Sequence, residues 1–247
     1  MANDYIKRFW EIDFFRGIAI VMMIVFHILY DINYFDLFKI NLGSLSIRIF
    51  NYSIGTIFLL LVGISLTLSY GRVKDKLKNN ELKLKYFKRG LKILLLGILI
   101  TGITWYFLKE GFVVFGVLHC IGVSIIFAYP LLRFRFLNLL MGTILIIIGM
   151  MLYSLTFDFF WLVWLGLKPS RFYSIDFFPI LPWFGVILIG IFLGNSLYVS
   201  YKRIYKIKDL SSFKLVKFFN YLGRHSLVIY FLHHIVLLSV IYPFYIL

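Results

Sequence analysis

Seven long apolar stretches, separated by short charged or turn-forming segments, dominate the pattern of the chain. A helix needs about 20 mostly apolar residues to cross about 30 Å of hydrocarbon, which matches the length of these stretches. The pattern predicts an all-α, polytopic membrane bundle of about seven transmembrane helices. The stretches cover residues 14–35, 47–70, 90–108, 112–132, 136–157, 179–200 and 218–243.

Two of the links between these stretches are very short. Arg133-Phe134-Arg135 joins the fourth and fifth stretches and Lys109-Glu110-Gly111 joins the third and fourth, so both pairs are expected to form antiparallel hairpins. Residues 158–178 are aromatic but too short and too interrupted to span, which predicts an outer interfacial or re-entrant loop. Because no linker or repeat divides the chain, we expect residues 1–247 to form a single transmembrane domain.

The composition supports a membrane protein over a nucleic-acid binder. Hydrophobic residues make up 62% of the 247 residues, against roughly 45–50% in an ordinary soluble domain. The net charge of +15 would by itself suggest a nucleic-acid partner, but an apolar membrane protein with basic loops explains both properties. The single cysteine, Cys120, rules out an intramolecular disulfide, and no cysteine and histidine spacing predicts a metal site.

The basic residues also predict an orientation. Segments 72–92 and 202–217 are strongly basic and fall on one side of a seven-helix bundle, together with the N-terminus and the link at 133–135. The positive-inside rule therefore predicts a multi-pass protein of the cell membrane with a cytoplasmic N-terminus and an external C-terminus. Only five of the 26 basic residues fall on the other side: Lys39, Arg48, Lys109, Lys168 and Arg171.

The first stretch carries a line of polar side chains, and such groups inside the membrane are costly unless they serve a function. Arg16 and His27 share a helix face, about 16 Å apart along the axis, since eleven residues make about three turns. Asp31 lies one turn beyond His27, and Tyr34 continues the line. This spacing indicates a general base oriented by a carboxylate and reached from the outer half of the membrane. Alternatively, Asp31 caps the helix end and His27 only packs.

An ion pair is the simpler interpretation of Asp13 and Arg16, which are three residues apart at the cytoplasmic end of the same helix.

In the fourth stretch His119 lies at a depth comparable with that of His27, so the two histidines could meet. Gly116 and Gly122 would let neighbouring helices approach closely.

The last stretch has a polar line of its own. Ser226, Tyr230 and His233 follow one another at helical spacing and predict a scaffold of interhelical hydrogen bonds or a substrate-binding face.

Three motifs resemble a known family. Asp13-Phe-Phe-Arg16-Gly-Ile-Ala19, leading to His27, and Gly116-Val-Leu-His119-x-x-Gly122-Val123 are similar to the catalytic family of heparan-alpha-glucosaminide N-acetyltransferase and its microbial branch. Gly-x-x-Ser-x-x-x-Tyr-x-x-His at 223–233 is similar to a motif of the related membrane acyltransferase family three. The spacing of Arg16 and His27 also matches that family's arginine and histidine signature, whose histidine is the acyl-transfer base.

The resemblance implies an acyltransferase that moves an acetyl group from cytoplasmic acetyl-CoA to an external sugar or glycolipid. The animal members of the family resembled carry their proposed active histidine in the first non-cytoplasmic loop. The matching residues 36–47 contain no histidine here, so the resemblance gives the role of base only to His27. His119 would bind the oxyanion or the acceptor. The implied partners are membrane lipids, the acyl-CoA donor and a carbohydrate acceptor. A homodimer is compatible with the resemblance. Cations expected to hold the donor's phosphates are Arg16, Arg72, Lys88, Arg89 and Lys92.

Two other functions remain open. The positive-inside rule alone explains the basic loops, so they do not require a CoA site. A small proton-coupled transporter would use the same histidine and aspartate line to relay protons, although no broken helix pair or inverted repeat is visible. A membrane assembly partner without enzymatic activity is the third possibility. Binding of CoA separates the acyltransferase from both alternatives.

Overall fold

The computed structural model describes residues 8–108, 110–199 and 201–246, apart from the side chains of 234, 235, 238 and 241–246. Lys109, in the predicted link between the third and fourth stretches, lies outside the described residues. The described chain forms eight α-helices and one antiparallel two-stranded hairpin, β1 Tyr198–Val199 and β2 Lys202–Arg203. The helices are α1 Trp10–Tyr34, α2 Leu45–Val73, α3 Asn79–Leu108, α4 Val117–Ala128, α5 Phe136–Leu152, α6 Ile180–Leu197, α7 Lys214–Arg224 and α8 Ser226–Ile246.

The prediction of an all-α integral membrane protein is confirmed. Among the described residues, α1, α2, α3 and α6 are long and apolar enough to cross a membrane, and α4 and α5 are shorter apolar helices. Several large apolar side chains on α3, such as Leu95, Ile98 and Leu99, are about half exposed. Such apolar surfaces suit contact with lipid rather than with water.

Two predicted stretches end differently in the structure. The stretch 218–243 is broken at His225, whose amide donates to the carbonyls of Tyr221 and Leu222 and so ends α7 before α8 begins. In the stretch 112–132, helix α4 starts only at Val117, because the residues before it bond to the segment 174–178 instead of to one another.

The chain divides into two compact units. The terminal unit contains the residues up to Leu61 and those from Ile207 onwards, and the central unit contains Val62–Lys206. Helix α2 contributes its first part to the terminal unit and its second part to the central unit. The prediction of one transmembrane domain over residues 1–247 stays a prediction.

In the terminal unit, α1 packs against α7 and α8. Buried Ile20, Met23 and Ile54 form the core between α1 and α2. At two glycines the backbones of α1 and α7 touch: a Cβ at Gly17 would collide with the carbonyl of Phe219, and a Cβ at Gly223 would collide with that of Asp13. Glycine is therefore required at both positions for this close packing.

In the central unit, glycines again determine which helices pack closely. α3 and α4 form the predicted hairpin, where a Cβ at Gly90 would lie 2.6 Å from the carbonyl oxygen of Gly122. The hairpin predicted for the fourth and fifth stretches is wrong: α5 packs mainly along α6 rather than along α4, because Gly142 and Gly185 bring the backbones of α5 and α6 together. A Cβ at Gly185 would lie 2.6 Å from the carbonyl oxygen of Gly142.

Candidate active site

His27 on α1 and His233 on α8 form a pair of imidazoles in the terminal unit. Their ring centroids are 4.8 Å apart, His27 is partly buried and His233 is buried. Nδ1 of His233 lies 2.5 Å from the carbonyl oxygen of Tyr230. A carbonyl only accepts, so Nδ1 carries the hydrogen and the lone pair of a neutral His233 is on Nε2. Two groups able to exchange protons therefore lie side by side.

Asp31 and Tyr34 occupy the far end of α1. Asp31 is buried, and its Oδ2 oxygen has no hydrogen-bond partner among the described residues. Among the described residues, no hydrogen bond is seen from an N–H of His27 to the Asp31 carboxylate, and an orienting role for Asp31 stays a prediction. Tyr34 is exposed and stacks on Tyr30 with 6.3 Å between ring centroids.

Asp13 is shared by two guanidinium groups at the start of α1. Nη1 of Arg16 lies 3.0 Å from Oδ1 of Asp13, and Nε of Arg224 lies 3.4 Å from Oδ2. The interpretation of Asp13 and Arg16 as an ion pair is therefore confirmed. One carboxylate thus joins a guanidinium group of α1 to one of α7.

Ser226 and Tyr230 lie on α8, the helix that carries His233. Ser226 is buried at the first position of α8. Tyr230 packs against the core of the terminal unit, and its ring centroid is 5.6 Å from that of His233. The polar line predicted on the last stretch thus packs within the terminal unit, which is compatible with a scaffold and with a substrate-binding face.

His119 is held at the start of α4 in the central unit. The amide of Gly116 donates to Nδ1 at 3.2 Å, and Nε2 lies 3.3 Å from Oγ1 of Thr101. The Thr101 hydroxyl donates to the carbonyl of Val113, so Nε2 carries the hydrogen that joins His119 to Thr101. Both ring nitrogens are engaged, and Gly97 on α3 leaves room for the ring. The arrangement favours a neutral, firmly positioned imidazole.

Asp176 belongs to the same region, although no motif or spacing along the chain singles it out. Its Oδ2 accepts the amide of Val117 at 3.1 Å, at the N-terminus of α4 where the helix dipole favours a carboxylate. Ser174 bonds to the backbone of Phe112 and Val114, so the aromatic loop is tied to the start of α4. Asp176 and Thr101 hold the surroundings of His119, and neither belongs to a recognisable motif.

The cations predicted to hold phosphates are divided between the two units. Arg16 lies in the terminal unit, whereas Arg72, Lys88, Arg89 and Lys92 are exposed in the central unit. Within the central unit, Arg72 and Arg89 both lie close enough to Lys85 to interact electrostatically with it. The guanidinium of Arg72 lies 4.7 Å from the ring centroid of Tyr201 and donates to its hydroxyl.

Comparison with known families gives one match. Over residues 8–235 the chain matches the family model described as heparan-alpha-glucosaminide N-acetyltransferase, catalytic. No curated protein and no solved structure matches the chain. The matched range runs from the start of α1 into α8, so it includes both histidine sites and all the cations described above.

Proposed function

The chain belongs to the catalytic family of heparan-alpha-glucosaminide N-acetyltransferase, and from this membership we propose that it moves an acetyl group across the cell membrane. The donor is acetyl-CoA on the cytoplasmic side, and the acceptor is a sugar or glycolipid on the other side. The family's activity is that of a membrane N-acetyltransferase, which agrees with the membrane-spanning helices of this chain. The observation that carries the proposal is the match over nearly the whole chain.

In this proposal His27 is the general base. Its neutral imidazole removes the proton from the acceptor amine or hydroxyl as that group attacks the thioester carbonyl. The tetrahedral intermediate then expels the CoA thiolate, which takes the proton back from the imidazolium. The neighbouring His233 supports this role, because a second imidazole beside the first can accept or return a proton. Asp31, one turn along α1, would stabilise the charged ring.

His119 is proposed to stabilise the oxyanion or to bind the acceptor. Its Nε2 is a hydrogen-bond donor in the tautomer that Gly116 and Thr101 impose, and a donor is what a developing oxyanion requires. To act in this way, His119 would exchange its hydrogen bond with Thr101 for one with the substrate.

Binding of CoA tests the proposal at Arg16. Arg16→Ala should weaken CoA binding about tenfold or more, because hydrogen bonds to charged groups contribute about 1.5–3 kcal/mol. Arg48→Ala is the matched control, since Arg48 is an exposed arginine of the terminal unit on the predicted opposite side. Isothermal titration calorimetry should give an unchanged Kd for it.

Failure of the unmutated protein to bind CoA, both in detergent and in nanodiscs, would remove the acyltransferase proposal. The proton-coupled transporter would then be favoured, because it needs the histidines but no CoA.

Orientation is tested by labelling of single cysteines in a Cys120→Ser background. Cysteines at positions 78 and 206 should react only from the cytoplasmic side, and one at position 170 only from outside, because the basic segments are predicted to remain inside. Labelling of positions 78 and 170 from the same side would contradict the predicted topology and, with it, the outer position of His27.

A further inference from the structure

The central unit has a cleft of about 170 Å³ at the C-terminal end of α2. One wall is the last turns of α2 and the residue that follows it, the second is the link between α4 and α5, and the third is the end of α6 with the hairpin. Its polar lining residues include Thr67, Tyr70, Lys74, Arg133, Asn195 and Tyr201.

The cleft is positively charged. Lys74 and Arg133 line it and both are exposed. Neither takes part in the ion pairs of the described residues. No aspartate or glutamate is among its described lining residues. Arg72 adds a third cation beside the cleft, held against the ring of Tyr201. A small anion is the ligand that such a cluster of cations favours.

The backbone around Arg133 is fixed by its neighbours. Nδ2 of Asn195 donates to the carbonyl oxygens of Leu132 and Phe134, 3.0 Å in each case. The guanidinium of Arg133 itself lies over the ring of Phe134, 4.8 Å from the centroid. A cation on a fixed backbone loses less entropy when it binds a ligand than one on a mobile loop.

We propose that this cleft binds a phosphate or diphosphate group. Lys74 and Arg133 would supply the charge, and the hydroxyl of Tyr70 would supply a neutral hydrogen bond. The group can come from the phosphates of CoA or from the headgroup of an anionic lipid. Both sources lie at the predicted cytoplasmic face, where the basic segments around this cleft are expected.

The test uses inorganic diphosphate as the probe, with the full chain in phosphatidylcholine nanodiscs. Calorimetry should show that the double variant Lys74→Gln/Arg133→Gln binds diphosphate at least about tenfold more weakly than the parent. Lys83→Gln is the control, because it removes one exposed charge from α3 outside the cleft. An equal loss in Lys83→Gln, or no loss in the double variant, would overturn the proposal.

A purely structural role makes a different prediction. Cations near the C-terminus of α2 also complement the helix dipole. If that were their only role, the double variant would have a lower Tm without ligand and an unchanged diphosphate Kd, which would again overturn the proposal.

Two further arms identify the source of the phosphate. If CoA supplies it, the Kd of CoA rises in the double variant by the same factor as that of diphosphate. If a lipid supplies it, phosphatidylglycerol nanodiscs raise the Tm of the parent but not that of the double variant. The proposal is overturned if the double variant changes neither the Kd of CoA nor the rise in Tm caused by phosphatidylglycerol. Diphosphate titration uses no acceptor and no acetyl group, so its failure is distinguishable from failure of acetyl transfer.

Discussion

Replacement of His27 by alanine should reduce acetyl transfer by about 10²–10⁴-fold, the usual contribution of a positioned general base. His27 is only partly buried, so its loss should leave expression, folding and CoA binding close to those of the parent. The measurement is transfer of radiolabelled acetyl into membrane glycolipid or glycan. His225→Ala is the matched control, because His225 is an exposed histidine of the terminal unit, and it should retain parental activity.

Two related variants sharpen this result. Asp31→Asn keeps the size of the side chain but removes its charge, so its defect should lie in kcat more than in donor affinity. His119→Ala should be intermediate, because it removes an oxyanion donor but leaves the base. Activity of His27→Ala within about threefold of the parent, well below the expected range for a lost base, would assign His27 to structure. His119 would then be the next histidine to test as the base.

Substitution of Gly17 or Gly223 by alanine should destabilise the terminal unit by about 1–3 kcal/mol, the usual cost of an overpacked contact. At both positions the added Cβ would collide with a backbone carbonyl of the facing helix, which cannot turn away as a side chain can. The two substitutions should cost less together than the sum of their separate costs, because α1 and α7 need to move apart only once. Reversible unfolding in detergent measures all three variants.

Gly102→Ala is the control for these glycines. Gly102 lies within α3, and nothing lies within 4 Å of a Cβ built there. Its replacement should leave stability unchanged or raise it by up to about 1 kcal/mol, since alanine favours a helix over glycine. If Gly223→Ala were as stable as Gly102→Ala, the close contact of α1 with α7 would be wrong.

The sequence predicted the helical membrane architecture because apolar length is a local property. The break at His225 was also detectable in principle. Val216, Asn220 and Gly223 are buried at intervals of four and three residues. The basic residues Lys214, Lys217 and Arg224 are exposed, which is the pattern of a separate amphipathic helix. The apolar content of 218–243 favours one continuous stretch, and this helical period is the signal that argues against it.

The surroundings of the histidines were harder to predict. His27 and His119 were found as costly polar groups in apolar helices, but the neighbour of His27 is His233, 206 residues further along the chain. Only the packing of α8 on α1 creates that pair. Asp176 was likewise hidden, because a single carboxylate in an aromatic loop has no period and no motif. Contacts between distant segments depend on tertiary packing, which spacing along the chain does not encode.

The division of the chain has a consequence for the order of events during biosynthesis. α1 is made before the other described helices, whereas its partners α7 and α8 are made after them, and the Asp13–Arg224 contact joins residues 211 positions apart. The nascent chain must therefore hold a buried aspartate, Asp13, and one backbone-contact glycine, Gly17, without their final neighbours while the whole central unit is translated. The central unit ends at Lys206, so it can complete its packing before α7 and α8 are translated. Chains that stall late in translation should be recognised by quality control through an incompletely covered first helix.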